Sequence, residues 1–108
     1  MGIGPEAGGA IPLGRIIDKI GEFDDDLVVY APAGAQVSAG TPVYLVDEEN
    51  EDPPAGTEYV LGLSLMQDVI RVWSKWRNGA VPTIPQACEA VLHYAKYDAF
   101  LPVSGPEA

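Results

Sequence analysis

The sequence predicts an α+β fold in which a small antiparallel sheet of two or three strands is packed by three helices. Short runs of β-branched and aromatic residues lie between turn residues in the middle of the chain, and apolar residues recur at helical spacing before and after them. The length of 108 residues suits one domain with one hydrophobic core. The predicted order is α-β-β-(β)-α-α, in a domain of residues 11–102 between flexible tails at 1–10 and 103–108.

The first predicted element is a helix over residues 12–22. Pro12 suits the first position of a helix, because the N–H that proline lacks would have no partner there. Apolar residues follow at spacings of three and four, and Gly21 or the acidic run after it ends the helix. These apolar residues are Leu13, Ile16, Ile17 and Ile20.

Two strands are predicted over residues 27–30 and 43–46, where valine, leucine and tyrosine predominate. Between them, residues 31–40 contain the glycine and proline typical of turns. A charged loop over residues 47–54 follows, and the two prolines that end it exclude a central strand. Residues 59–61 are predicted to form a short third strand.

Two helices with capping pairs are predicted in the second half of the chain. Ser64 and Gln67 have the spacing of a capping box, and the helical pattern after them continues to the Asn-Gly pair at 78–79. Thr83 and Gln86 form a second capping pair, which begins a helix that ends near residues 100–102. The apolar face of this last helix is predicted to contain Ala87, Cys88, Val91, Leu92, Ala95 and Ala99.

The negative charge of the chain is concentrated in its middle. The net charge is −10, from 16 acidic and 6 basic residues, and no lysine or arginine occurs between Lys19 and Arg71. Nucleic acid and anionic membranes are therefore poor partners, because contacts with phosphate require cations. This charge favours a basic protein surface as the partner, through long-range electrostatic steering.

Two acidic runs form the strongest candidate site. Residues 22–26 end the first helix and residues 47–52 follow the second strand, so pairing of the two strands would bring both runs to one edge of the domain. A partner-binding face and a solvated loop that keeps the chain soluble are both open interpretations. The alternating spacing of a calcium loop is missing, so no metal site is predicted. The predicted partner-binding residues are Asp24, Asp25, Asp26, Asp47, Glu48, Glu49, Glu51 and Asp52, with Tyr30 or Tyr44 as anchors.

No catalytic residue and no cofactor is predicted. His93 is the only histidine and Cys88 the only cysteine, and their side chains diverge on one helix, so they cannot form a dyad. Glu89 lies on the same helical face as His93, but a zinc site requires three or four ligands. The sequence contains no phosphate-binding glycine motif and no nucleophile elbow. We therefore expect a binding protein and not an enzyme.

Trp76 and Asp98 are candidates for secondary contacts. Trp76 lies in a basic stretch, residues 71–77, with the composition of an interface hot spot, whereas Trp73 is predicted to lie in the core. Asp98 lies near the end of the last helix, where the helix dipole disfavours a negative charge. We expect its carboxylate to accept a hydrogen bond from a backbone amide or a tyrosine hydroxyl, with a contact to a partner as the alternative.

The chain resembles known families in two places. Its tyrosine-rich last helix, ending in residues 97–100 (Tyr-Asp-Ala-Phe), resembles a family of small uncharacterised bacterial domains that end in such a helix. That resemblance implies a small acidic protein of the immunity-protein type, which neutralises a toxin. Residues 34–43 are similar to the hairpin of biotinyl and lipoyl carrier domains, but the lysine that such a hairpin carries is missing.

These observations lead to two expectations for function. The first is an acidic module that binds a basic protein in the manner of an immunity protein, antitoxin or inhibitor. The second is a structural or oligomeric accessory protein, in which the acidic charge serves only solubility. Because the single cysteine permits no intrachain disulfide and no run of about 18 apolar residues occurs, we expect a cytoplasmic location.

Overall fold

A computed structural model describes residues 10–101, which form a four-stranded sheet and three helices. Apart from Ala10, the predicted tails lie outside the described residues. The elements in chain order are β1 (Ile11–Pro12), α1 (Leu13–Asp18), a 3-10 turn (Ile20–Glu22), β2 (Val28–Pro32), β3 (Pro42–Val46), β4 (Thr57–Gly62), α2 (Leu63–Lys75) and α3 (Ile84–Tyr97).

The strands are all antiparallel to their neighbours, in the order β1-β3-β2-β4. The predicted α+β class is confirmed, with one more strand than expected. In the additional strand, Ile11 pairs with Val43 and Pro12 pairs with Pro42. Two residues are too few to leave an alternating pattern in a sequence. Pro12 is therefore the end of a strand, and the first helix begins one residue later, at Leu13.

One hydrophobic core lies between the helices and one face of the sheet. Val29 and Ala31 of β2, Val43 of β3 and Leu61 of β4 are buried in this core, and alternate residues of β2 and β3 point to the opposite, outer face. The predicted core positions of Trp73 and Cys88 are confirmed. The helices contribute Leu13, Ile16, Ile17, Leu63, Met66, Val69, Trp73, Ala87, Cys88, Ala90 and Val91.

The capping box of α3 is confirmed. The Thr83 side chain accepts a hydrogen bond from the Gln86 amide at 3.2 Å, and the Gln86 side chain accepts one from the Thr83 amide at 2.9 Å. The helix ends at Tyr97, short of the predicted residues 100–102. Ala99 therefore lies beyond the helix and is exposed, and Ala95, within the helix, is exposed as well, so the predicted core positions of these two residues were wrong.

The capping box predicted at Ser64 and Gln67 was wrong. Helix α2 begins at Leu63, directly after β4, with Gly62 as its N-cap and no side-chain cap. The Leu63 amide donates instead to the backbone oxygen of Leu27 at 2.9 Å. The residue that precedes β2 therefore supplies the acceptor that a capping side chain supplies elsewhere.

Strands β3 and β4 run in the same direction on either side of β2. Val28 is paired with both Val46 and Gly62, which end β3 and β4 respectively. Strand β4 therefore begins at the opposite end of the sheet from the place where β3 ends. Residues 47–56, here called the return segment, must run back along β2 for about 13 Å.

Candidate functional site

The two acidic runs lie side by side at one end of the sheet. Val28 pairs with Val46, so the residues before β2 and the residues after β3 are neighbours, as the sequence predicts. A groove of about 320 Å³ lies between them. We call it the acidic groove, and its lining residues are Asp24, Asp26, Leu27, Asp47, Glu48, Glu49 and Asn50.

The return segment begins with a turn that is held by its own acidic side chains. The Asp47 carboxylate accepts hydrogen bonds from the Glu49 amide at 3.2 Å and from the Asn50 side chain at 2.7 Å. The Glu51 carboxylate accepts one from the Asp47 amide at 3.0 Å. Asp47 and Glu51 are thus engaged in shaping the turn, and Glu51 does not line the groove.

The other wall of the groove is a tight turn at residues 24–27. The Asp24 carboxylate accepts a hydrogen bond from the Asp26 amide at 3.0 Å, and the Leu27 amide donates to the Asp24 backbone oxygen at 3.1 Å. Carboxylate oxygens of Asp24, Asp25 and Asp26 lie within 4.8 Å of one another. All three side chains are exposed, and exposed carboxylates in this number do not by themselves define a cation site.

Several carboxylates remain available to a partner. Within residues 10–101, the side chains of Asp25, Asp26, Glu49 and Asp52 accept no hydrogen bond, and no acid of the two runs forms an ion pair. Asp26 and Glu49 line the acidic groove, whereas Asp25 and Asp52 lie outside its lining. Neighbouring like charges without counter-charges repel one another, so a bound cation would be stabilised here.

Three tyrosines form a row across the outer face of the sheet. Tyr30 of β2 is paired with Tyr44 of β3 on one side and with Tyr59 of β4 on the other. The rings of Tyr30 and Tyr59 are perpendicular, with their centroids 6.1 Å apart. Tyr30 and Tyr44 were singled out from the sequence, whereas Tyr59 was assigned only to a short strand.

A hydrogen bond connects this tyrosine row to the acidic groove. The Tyr30 hydroxyl donates to Oε2 of Glu48 at 2.5 Å. This bond, with smaller contributions from desolvation and from the charge of Glu48, raises the pKa of Tyr30 above its ordinary value. Since Tyr30 lies on the outer face, the return segment begins on that face.

Trp76 directly follows helix α2, at the end of this helix that lies away from the acidic groove. Its side chain is 48% exposed and packs edge-on against Phe100, with ring centroids 5.8 Å apart. Helix α2 begins beside Leu27, which lines the acidic groove, and Trp76 lies roughly 20 Å further along the helix axis. Trp76 and the groove are therefore separate surfaces that can be altered independently.

Asp98 has a different structural role from the one expected. It follows α3 in the left-handed conformation, with φ 58° and ψ 35°, and its backbone amide donates to the Tyr94 oxygen at 2.7 Å. Within residues 10–101, the Asp98 carboxylate accepts no hydrogen bond, so the expected bond from an amide or tyrosine is not formed there. Aspartate adopts this conformation more readily than most residues, which accounts for its presence at a helix end.

The two residues considered for a catalytic dyad lie in different environments. Cys88 is buried in the core, and desolvation raises the pKa of its thiol. A protonated thiol is a poor nucleophile. The His93 ring packs against the exposed Tyr97, with centroids 4.7 Å apart.

Comparison of the chain with protein-family models, with curated proteins and with solved structures gave no match in any of the three. Within residues 10–101, no helix combines the length and the apolar character needed to cross a membrane.

Proposed function

We propose that this protein is a binding module, without catalytic activity, that uses the acidic groove to bind a basic protein. The observation that carries the proposal is the meeting of two acidic runs, distant in sequence, around one groove. Neutralisation of a basic toxin or enzyme, in the manner of an immunity protein, antitoxin or inhibitor, is the function that this arrangement suits best.

The electrostatics of the groove support this proposal. The acids that line it form no ion pair within the described residues, and the side-chain carboxylates of Asp26 and Glu49 also accept no hydrogen bond there. Placing such charges together costs electrostatic energy, which a cationic partner would relieve. The same charges repel nucleic acid and anionic membranes, so neither is proposed as a partner.

The fixed shape of the groove walls also supports a specific partner. Asp24 and Asp47 each accept hydrogen bonds from residues of their own turn, and Tyr30 holds Glu48 against the sheet. A surface that is ordered before binding loses less conformational entropy when a partner docks.

A capture experiment with matched variants tests the proposal. The groove variant carries Glu48→Gln and Glu49→Gln, and the control carries Asp18→Asn and Glu89→Gln, which remove two exposed charges outside the groove lining. The amide oxygen introduced by Glu48→Gln can still accept the hydrogen bond from Tyr30, so the sheet contact is retained.

We expect the unmodified protein and the control to retain the same basic protein from a cell lysate at low salt and to release it at high salt. The groove variant should retain less. Equal retention by both variants would show that the net charge of the protein, and not the acidic groove, binds the basic protein. If the unmodified protein retained no basic protein, that result would contradict the proposal.

A second candidate function is favoured by the exposure of Trp76. A side chain of this size that is 48% exposed suits an interface with another subunit or a second copy, in which case the acidic charge serves only solubility. Light scattering of the unmodified protein and of Trp76→Ala distinguishes this function. A dimer that is lost in Trp76→Ala supports it, and a monomer at all concentrations counts against self-assembly.

A further inference from the structure

A β-bulge in strand β4 directs Tyr59 to the outer face of the sheet. Val29 is paired with Leu61, but the next residue of β2, Tyr30, is paired with Tyr59, so Val60 is an additional residue without a partner in β2. Regular alternation would place Val60 opposite Tyr30 and turn Tyr59 towards the core. Bulges commonly re-aim a side chain next to a functional site.

The bulge leaves a large aromatic ring exposed at the free edge of the sheet. Within residues 10–101, β4 has β2 as its only neighbouring strand, and 55% of the Tyr59 side chain is exposed. Because the Tyr59 and Tyr30 rings are perpendicular and not stacked, ring surface remains open to a partner.

A carboxylate contacts this ring pair on the outer face. The Tyr30 hydroxyl donates a hydrogen bond to Glu48, which also lines the acidic groove. A planar cation suits such a place, because guanidinium stacks on aromatic faces and pairs with carboxylates through two parallel hydrogen bonds.

The structure therefore assigns a specific chemistry to the partner. We infer that the bound segment of the basic protein presents an arginine, which stacks on the ring of Tyr59 while neighbouring cations enter the acidic groove. This inference rests on the proposed function and adds the partner's residue type. A second copy of this chain is a poor occupant, because its net charge of −10 would place like charges together.

Calorimetric titration with two synthetic peptides tests the inference. In one peptide arginine alternates with threonine, and in the other lysine takes the place of every arginine, so that length and charge are equal. The protein variants are Tyr59→Leu, which removes the ring, Tyr59→Phe, which keeps it, and Tyr97→Leu as the control. Tyr97 is exposed to a similar extent, 58%, but lies on α3 beside Lys96.

We expect the unmodified protein to bind the arginine peptide about two- to fivefold more tightly than the lysine peptide, the ratio that one exposed cation–π contact provides. Tyr59→Phe and Tyr97→Leu should keep this preference, and Tyr59→Leu should lose it. A preference that survives in Tyr59→Leu would overturn the inference.

The same titrations separate this inference from the proposed function. If both peptides bind equally and Glu48→Gln with Glu49→Gln weakens both, the acidic groove binds cations but the arginine inference is wrong. If neither peptide binds the unmodified protein at low salt, the inference fails, and the capture experiment then decides whether the groove binds a folded basic protein.

Discussion

The hydroxyl of Tyr30 donates a hydrogen bond to the carboxylate of Glu48, and this bond connects the centre of the sheet to the acidic groove. The two residues are 18 positions apart in sequence. The bond occupies one carboxylate oxygen of Glu48. Because it fixes the position of the carboxylate group, it also orients the second oxygen. It also fixes the start of the return segment relative to the strand that it crosses.

The first prediction concerns the pKa of Tyr30, which we expect to fall when Glu48 is replaced by Ala. The raised pKa shows that the folded state favours the protonated hydroxyl, which donates to Glu48. The stabilisation of the folded state by this hydrogen bond is therefore present below the ordinary tyrosine pKa of about 10. It is lost as the pH rises through the raised pKa of Tyr30.

Ultraviolet titration of tyrosinate measures this change. A component above the ordinary tyrosine range should be present in the unmodified protein, missing in Tyr30→Phe and shifted to lower pH in Glu48→Ala. Glu49→Ala is the control, because it removes a neighbouring acid whose carboxylate accepts no hydrogen bond from a tyrosine within residues 10–101. A curve that is the same in Glu48→Ala as in the unmodified protein would contradict the assignment.

The second prediction compares the true cap of α3 with the capping box that α2 does not form. Thr83→Ala removes the acceptor of the Gln86 amide and should cost about 1 kcal/mol of the free energy of unfolding, lowering the melting temperature by about 4–8 °C. Ser64→Ala should change it little, because Ser64 is exposed and caps no helix. Equal losses in thermal melts would mean that Ser64 caps α2 in solution.

The third prediction concerns the close approach of Gly14 to its neighbours. A Cβ at this position would lie 3.2 Å from the Ala39 backbone oxygen and 3.2 Å from a methyl of Ile84. The Ala39 oxygen cannot withdraw easily, because it accepts the Gly14 amide at 2.8 Å. We expect Gly14→Ala to lower the free energy of unfolding by about 1 kcal/mol in denaturant titrations.

Gly21→Ala is the matched control for this substitution, because, apart from its chain neighbours, no atom of residues 10–101 lies within 4 Å of the position that its Cβ would occupy. It should be neutral or slightly stabilising, since alanine restricts the unfolded chain. If Gly14→Ala were equally well tolerated, the helix start would be more loosely packed than described.

The fourth prediction concerns Asp98, whose presence at the end of α3 can be explained by its left-handed backbone conformation or by a contact of its carboxylate. If its left-handed conformation is what matters, Asp98→Gly should raise the free energy of unfolding by about 1 kcal/mol and Asp98→Ala should lower it. Asp98→Asn should raise it slightly, because it removes a negative charge from a helix C-terminus. A loss in Asp98→Gly as large as that in Asp98→Ala would indicate instead that the carboxylate makes a stabilising contact.

The meeting of the two acidic runs could be predicted because it depends on local patterns. The apolar runs that form β2 and β3 are short, adjacent in sequence and separated by turn residues, so their antiparallel pairing was expected. Once Val28 pairs with Val46, the acids that flank them must be neighbours. The cap at Thr83 also requires only two residues three positions apart, but the same spacing at Ser64 and Gln67 forms no cap, so the spacing alone does not decide where a helix begins.

Features that depend on distant contacts could not be predicted from the sequence. Strand β1 exists because Ile11 meets Val43, and the start of α2 is capped by the backbone of Leu27. Tyr59 points outward because of the bulge in β4. The bulge in turn depends on the register with β2 and on the burial of Val60. Secondary-structure propensities and the spacing of residues in the sequence do not indicate such contacts.

The parallel course of β3 and β4 sets a lower limit on the length of the return segment. The segment must cover about 13 Å along β2 and about 10 Å across it, or roughly 16 Å in a straight line. About five extended residues reach that far, whereas residues 47–56 separate the two strands. A two-residue hairpin turn could never replace the segment, but residues beyond the minimum can be inserted, deleted or exchanged while the strands keep their register. The part of the chain that holds most of the groove's acids is thus also a part whose length can vary while the strands keep their register.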